Sequence, residues 1–312
     1  STRIVKLKDG KTVAERIIDT YKEEIKDFSK EKCDYLCDHY IEEYLNSVIG
    51  YNSVKNARHD FLISKISRSI KEVVFHISQE FAQSKFVPTH CELKIGGKDG
   101  LPLSFDYSEG KVILNGSIDR VDEYNGYIRI VDYKTGTKSF KLPDVLFGLN
   151  LQMLIYLYAV IRGQKLSDHN AAGIFYMPSK RDLNNEGMAM NGLIQADIEL
   201  LKAMEEENKG EYVPALSLNK DGSIAKTATS FISHEEFGLI FDHIEKLMQK
   251  TGDSIAKGEI NIDPVDGRES TACVYCDFKS VCNFESDFAF KVPNLKNSEV
   301  FQQIAKEDNN GL

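Results

Sequence analysis

The chain has no tryptophan, only seven prolines in 312 residues, and no internal repeat or low-complexity tract. With 42% hydrophobic and 28% charged residues, that composition excludes a Pro-rich or disordered linker and fits one large domain or two ordinary ones. Long apolar runs are missing as well. A bilayer span needs roughly 18–20 such residues; the best candidate, LQMLIYLYAVI at 151–161, is short and contains Gln152. The opening STRIVKLKDGKTVAER is charged throughout and lacks the apolar stretch of a signal peptide, so a cytoplasmic location is expected. A start at Ser1 without Met reads as a piece of a longer protein. Positive charge is also in deficit. A net charge of −9 argues against a nonspecific nucleic-acid coat, although an acidic nuclease site with local phosphate contacts remains compatible. No G-x-x-x-x-G-K-[ST] loop occurs, so the chain carries no nucleotide-driven motor of that kind.

Cysteine is scarce and unevenly spread: Cys33, Cys37 and Cys91, then a clustered trio, Cys273, Cys276 and Cys282. Without an export signal a disulfide framework is not expected, and the trio reads first as a metal or cluster site. Its spacing, C-x2-C-x5-C in CVYCDFKSVCNF, supplies three thiolates where a four-coordinate centre takes four ligands, so a fourth must come from elsewhere. Cys33, Cys37 and Cys91 read as small buried thiols.

Helical periodicity marks 11–28, 35–48 and a longer amphipathic stretch at 56–84 with the stripe Leu62, Ile66, Ile70, Val73, Ile77 and Phe81. THCELKIG at 89–96 alternates as a strand does. The segment LPLSFDYSEGKVILNGSIDRVDEYNGYIRIVDYKTG reads as an antiparallel meander with turns at Glu109-Gly110 and Asn125-Gly126. A helix is expected over 145–162 after Pro143-Asp144, and a buried strand over 171–178. Residues 179–230 are polar and irregular, with a short helix near 195–207. Ser233 to Glu236 is a capping box opening another amphipathic helix. The polar end beyond the cysteines reads as disordered.

Charge concentrates where the chain otherwise reads as buried sheet. Side chains alternate faces along a strand, so Asp132 and Lys134 share one side of IVDYK, and across the Asn-Gly turn Asp119 is placed to converge on Asp132. Asp122, three residues beyond Asp119, faces the other way and reads as structural. Any one of these acids alone fits a solvated hairpin. As a set they fit a site, because burying unpaired carboxylates is expensive without a cation. Two carboxylates with backbone oxygen suit Mg²⁺ or Mn²⁺, which polarises a phosphodiester while a nearby ammonium orients water.

GSIDRVD, then IVDYKTG, then a helix with LQMLIYLYA resembles the RecB-like branch of the PD-(D/E)XK nuclease superfamily. The resemblance implies an α/β, restriction-endonuclease-like core: a mixed central sheet flanked by helices, with additional helices and a C-terminal cysteine-rich clasp. Asp119 matches the first metal aspartate, Asp132 and Lys134 the acid and lysine of the D-x-K pair, and Gln152 and Tyr156 the Q-x-x-x-Y helix motif. Glu92 in CELKIG matches the motif glutamate, and the carbonyl of Tyr133 would join Asp119 and Asp132 at the metal. An additional acid or histidine from an earlier element is also usual. His39, His59 and His76 do not suggest themselves, and the motif histidine is expected upstream of Ser1.

The order of motifs over 55–290 is similar to the AddB-type nuclease domain of bacterial AddAB helicase–nucleases. That implies residues 1–54 as a helical segment, 55–290 as the nuclease domain and 291–312 as a tail. It also implies magnesium-dependent hydrolysis of single-stranded DNA during repair of double-strand breaks, with an AddA-type helicase–nuclease subunit as heterodimer partner and no membrane. In that family Cys273, Cys276 and Cys282 would belong to a [4Fe–4S] staple whose fourth cysteine lies upstream; zinc held by the same thiolates is the competing reading. The rival readings are a nuclease fold kept only for binding strands or a partner, and a stand-alone Cas4-like nuclease.

Overall fold

The computed structural model of the chain describes residues 6–7, 9–49, 57–134, 138–163, 169–178, 188–207, 209–215, 229–267, 272–285 and 288–309. Thr12 opens α1 (Val13–Tyr21) through a reciprocal capping box with Glu15, and Lys22, at φ 45°, ends it. After a 3-10 turn come α2 (Lys30–Tyr44), capped by Ser29, and the long α3 (Ala57–Gln83). The expected stretch at 56–84 is therefore a single helix, and its buried stripe includes Ile70, Val73, Ile77 and Phe81.

The chain then enters β1 (Val87–Ile95), β2 (Ser104–Tyr107), β3 (Gly110–Ile113), β4 (Gly116–Tyr124) and β5 (Tyr127–Lys134). These do not form one meander. The β2–β3 hairpin pairs only with itself, and β1 instead pairs with β4. The hairpin folds away onto a later helix, where Ser108 N–H donates to Asp253 Oδ1 at 2.9 Å. Its turn residues are Ser108 and Glu109, one position before the expected pair.

Next are α4 (Leu142–Val145) and α5 (Gln152–Arg162). The expected continuous helix over 145–162 is interrupted because Gly148 and Asn150 take left-handed backbone, with φ of 75° and 55°. β6 (Asn170–Pro178) returns parallel to β5, as a helical crossover requires. β7 (Asn191–Gln195), α6 (Ile198–Met204), β8 (Phe231–Ile232) and α7 (His234–Ala256) follow, with the Ser233–Glu236 capping box in place. Last come β9 (Val265–Asp266), α8 (Lys279–Cys282), β10 (Phe290–Lys291) and α9 (Asn297–Asn309). The expected disordered end is instead helical, since Val300, Phe301 and Ile304 make a buried stripe.

The mixed sheet runs β1-β4-β5-β6-β7-β8, with helices on both faces. One apolar cluster joins α1, α2, α3 and α6 to Val131, Tyr133 and Phe175 of the sheet. The other joins α4, α5, α7 and α9 to Ile118, Ile130 and Ile174. The N-terminal helices α1 and α2 thus share a core with the strands rather than standing apart. Cys33, Cys37 and Cys91 lie in that first cluster, and burial raises all three thiols above their ordinary range, Cys37 to about 12. They remain neutral packing groups.

Between α3 and the sheet lies a fully buried charge cluster. Glu80 takes both Arg120 and Arg129, at 3.0 and 2.5 Å, and Asp122 takes the same two guanidiniums, at 3.0 and 2.8 Å. Arg120 also donates to Tyr133 Oη at 3.1 Å and stacks over Phe81. Burial works to raise the Glu80 carboxyl, but the two guanidiniums outweigh it and hold it below the usual range. Two acids and two bases balance, so no net charge is buried. Removing one member leaves an uncompensated ion, which costs about 3–5 kcal/mol. Arg129→Met is therefore expected to lower the unfolding free energy by about that amount in urea titration; a loss under about 1 kcal/mol, the worth of an exposed pair, contradicts a buried, charge-balanced cluster.

Candidate active site

The β4–β5 register sets Arg120 opposite Val131 and so brings Asp119 opposite Asp132. On the other side, Cys91 and Leu93 oppose Arg120 and Ile118, which brings Glu92 opposite Asp119. Asp132 in turn lies beside Tyr176, and Tyr176 beside Asn191. One transverse row of polar residues therefore crosses five neighbouring strands. Local geometry departs from an ideal ladder at this row. The β4–β5 pairing stops at Arg120, and the Asp119 carboxylate takes the Tyr133 N–H at 2.9 Å in place of a strand carbonyl. Glu92 has φ 53°, a left-handed conformation that costs a non-glycine residue about 1–2 kcal/mol. Its carboxylate is held from both sides, by Ser117 Oγ at 2.6 Å and by Lys6 Nζ at 3.0 Å.

A third acid arrives from outside the sheet. Ligand atoms of Glu15, Glu92 and Asp119 all lie within 4.8 Å of one another. Glu15 is 2% exposed. Burial first, then the nearby Glu92 and Asp119 charges, push its carboxyl up to about 7, against the lowering effect of its bonds to Thr12. The donor set fits Mg²⁺ or Mn²⁺: every ligand is a hard carboxylate oxygen, and the repulsion raising Glu15 is what a divalent cation would relieve. Lys6 meets part of that repulsion here, its own pKa raised chiefly by its hydrogen bond to Glu92.

Asp132, 5% exposed, is not part of that acid group; it pairs with Lys134 at 2.5 Å, and the Lys134 ammonium lies 5.5 Å from the Tyr176 ring centre. On α5, Gln152 Nε2 donates to Tyr156 Oη at 3.2 Å, so the i, i+4 pair does share one face. The Tyr156 hydroxyl rests against Gly116, where an added Cβ would stand 2.4 Å from it, three residues before Asp119. Asp122 points into the buried charge cluster on the opposite face, as its spacing from Asp119 foretold. His39 meets the Tyr40 ring edge-on and His76 lies tilted against Tyr212; neither joins the acids, and the side chain of His59 lies outside the described residues. Glu15 was the residue sequence reasoning missed. Its one legible signal was the T-x-x-E capping box of TVAE, which says where a helix starts and nothing about what its glutamate approaches.

The clustered thiols are less gathered. Cys273, on a 3-10 turn, is half-buried, while Cys276, just beyond that turn, and Cys282, at the end of α8, are exposed. Among the described residues they do not form a ligand group of the kind the acids form. Three thiols do not complete a four-ligand centre.

Residues 12–283 match the family model for the PD-(D/E)XK nuclease superfamily. The chain is 32% identical over 311 residues to an ATP-dependent helicase/deoxyribonuclease subunit from Thermoanaerobacter sp., covering 91% of this chain and 27% of that protein. Proteins of the same description from Alkaliphilus oremlandii and Clostridium novyi are 30% and 34% identical, over 91% and 81% of this chain and 27% and 25% of their own lengths. The chain thus spans about a quarter of the length of these relatives.

The raised Glu15 carboxyl gives a signed pH dependence. The folded state holds a proton that the unfolded state releases at about 4.5, so stability falls as pH rises from there to about 7, by up to roughly 3 kcal/mol. Urea titrations across that range, wild type against Glu15→Gln, are expected to show the slope in the former and its loss in the latter. Mg²⁺ is expected to raise stability more at pH 8 than at pH 5. Identical profiles for the two proteins contradict the assignment.

Proposed function

This chain belongs to the PD-(D/E)XK nuclease superfamily, and from that premise we propose that it is the metal-dependent deoxyribonuclease domain of an AddAB-type helicase–nuclease. The observation that carries the reading is the convergence of Glu15, from α1, on Glu92 and Asp119 of the sheet, beside the Asp132–Lys134 pair. Asp119, Glu92 and Glu15, with Asp132 and the Tyr133 carbonyl, would hold Mg²⁺ or Mn²⁺. The cation would polarise the phosphodiester and lower the pKa of a water there.

The chain's own residues do the rest. Asp132 fixes the Lys134 ammonium, which orients the attacking water and meets charge developing on the phosphate. Water oxygen bonds to phosphorus, one bridging P–O bond breaks, and the leaving oxygen takes up a proton. The Tyr133 N–H anchors Asp119 without competing for its second oxygen. Tyr156, backed by Gln152, spans from α5 to the start of β4 and sets the approach of the strand.

In this reading the substrate is single-stranded DNA delivered by an unwinding AddA-type partner, at broken chromosome ends in the cytoplasm. The relatives named as helicase/deoxyribonuclease subunits support that setting. No described helix is long and apolar enough to cross a membrane. Cys273, Cys276 and Cys282 would contribute three thiolates to a [4Fe–4S] centre completed by a cysteine outside this chain, since Cys33, Cys37 and Cys91 are committed to the core. No catalytic step passes through it.

The test is cleavage of end-labelled single-stranded DNA with Mg²⁺ or Mn²⁺. Asp119→Ala and Asp132→Ala are expected to lower the rate by roughly a thousandfold or more while the urea transition stays cooperative. Metal-dependent cutting that survives both substitutions overturns the proposal. A wild type that binds DNA and cuts nothing points to a nuclease fold retained for strand binding.

A further inference from the structure

The polar row does not end at the acids, and its far end carries a second lysine. Lys138 lies on the segment leading from β5 to α4, and its ammonium stands 4.8 Å from the centre of the Tyr176 ring, the same ring that Lys134 approaches at 5.5 Å. Tyr176 is 1% exposed and sits between Asp132 and Asn191 in the sheet register, so it cannot swing away to suit either lysine. Asn191 clamps the backbone on which Lys138 rides. Its Nδ2 donates to the Lys138 carbonyl at 2.7 Å, and its Oδ1 accepts the Phe140 N–H at 3.2 Å. A side-chain amide committed at both ends to one loop is a positioning device, since it satisfies two backbone groups only while that loop keeps its place.

Two ammonium groups drawn to one aromatic ring repel each other, and the ring quadrupole offsets only part of that. Lys134 has a carboxylate, Asp132, at 2.5 Å. The arrangement acquires a purpose when an anion approaches both cations. We propose that Lys138 is a second phosphate-binding cation, held beside Lys134 by Tyr176 and Asn191, which grips a backbone phosphate next to the one being cleaved. Lys134 acts on the reacting group; Lys138 binds; Asn191 positions Lys138. This rests on the deoxyribonuclease reading for the identity of the ligand, a single DNA strand.

The experiment compares wild type with Lys138→Met, which keeps the aliphatic stem, Lys138→Arg, which keeps the charge, Asn191→Ala and Lys134→Met. Binding of end-labelled single-stranded DNA is measured in EDTA at several salt concentrations, and cleavage with Mn²⁺ in parallel. Lys138→Met is expected to weaken binding about tenfold and to flatten the slope of log K against log salt by about 0.7, one phosphate contact on a single strand. Its KM rises while kcat changes little, and Lys138→Arg restores both. Asn191→Ala weakens binding in the same direction, whereas Lys134→Met loses turnover. An unchanged salt slope in Lys138→Met overturns the proposal, whatever happens to its stability, and so does a wild type that binds no DNA. Failure of the nuclease reading looks different: wild type binds with a normal slope but cuts nothing, and the slopes still decide on Lys138.

Discussion

Four charged side chains sealed between α3 and the sheet, Glu80, Arg120, Asp122 and Arg129, set the geometry on which the site depends. Ions taken out of water are tolerated only when paired with good geometry. Each carboxylate here bridges both guanidiniums, so α3, β4 and β5 are fixed relative to one another by direction as well as by apolar contact. Arg120 is the chain neighbour of Asp119, and Tyr133, whose hydroxyl Arg120 engages, is the neighbour of Asp132. Strand alternation turns those neighbours, Asp119 and Asp132, away from the buried cluster.

From that frame the reactive row follows. The strands β4 and β5 part just beyond Arg120, which frees the Tyr133 N–H to take Asp119 and leaves room for acids where a closed ladder would have none. Glu92 accepts left-handed backbone to face the same point, a local cost sustained by Ser117 and Lys6. Glu15 closes the group from α1. Beyond Asp132 the row becomes cationic and aromatic, with Lys134 and Lys138 over Tyr176. A site acidic at one end and basic at the other suits a metal and a phosphate side by side, and it reconciles a net charge of −9 with the anionic substrate proposed.

Much of this was legible because the relevant signals are local. Period-two alternation and the Asn125-Gly126 turn are enough to align Asp119, Asp132 and Lys134 and to turn Asp122 away from them. The Ser233–Glu236 capping box is equally local. What escaped depends on partners distant in sequence. Glu15 is an ordinary helix-capping glutamate until α1 is packed beside β1. The β2–β3 hairpin carries the same turn chemistry as a meander, and only its docking to Asp253 removes it from the sheet. β7, a short strand in a segment read as irregular, owes its form to pairing with β6 and β8. The helix expected over 145–162 is broken by Gly148 and Asn150, both left-handed, with Asn150 Nδ2 bonded back to Asp144 Oδ2.

The most direct test of the account is where a divalent cation goes. Crystals of the chain soaked in Mn²⁺ and measured for anomalous scattering are predicted to show manganese coordinated by Asp119 and Glu92, with Glu15 and Asp132 contributing directly or through water and Lys6 displaced from Glu92. A crystal that takes up no manganese at these carboxylates, or that binds it only elsewhere while Lys6 keeps its place, contradicts it.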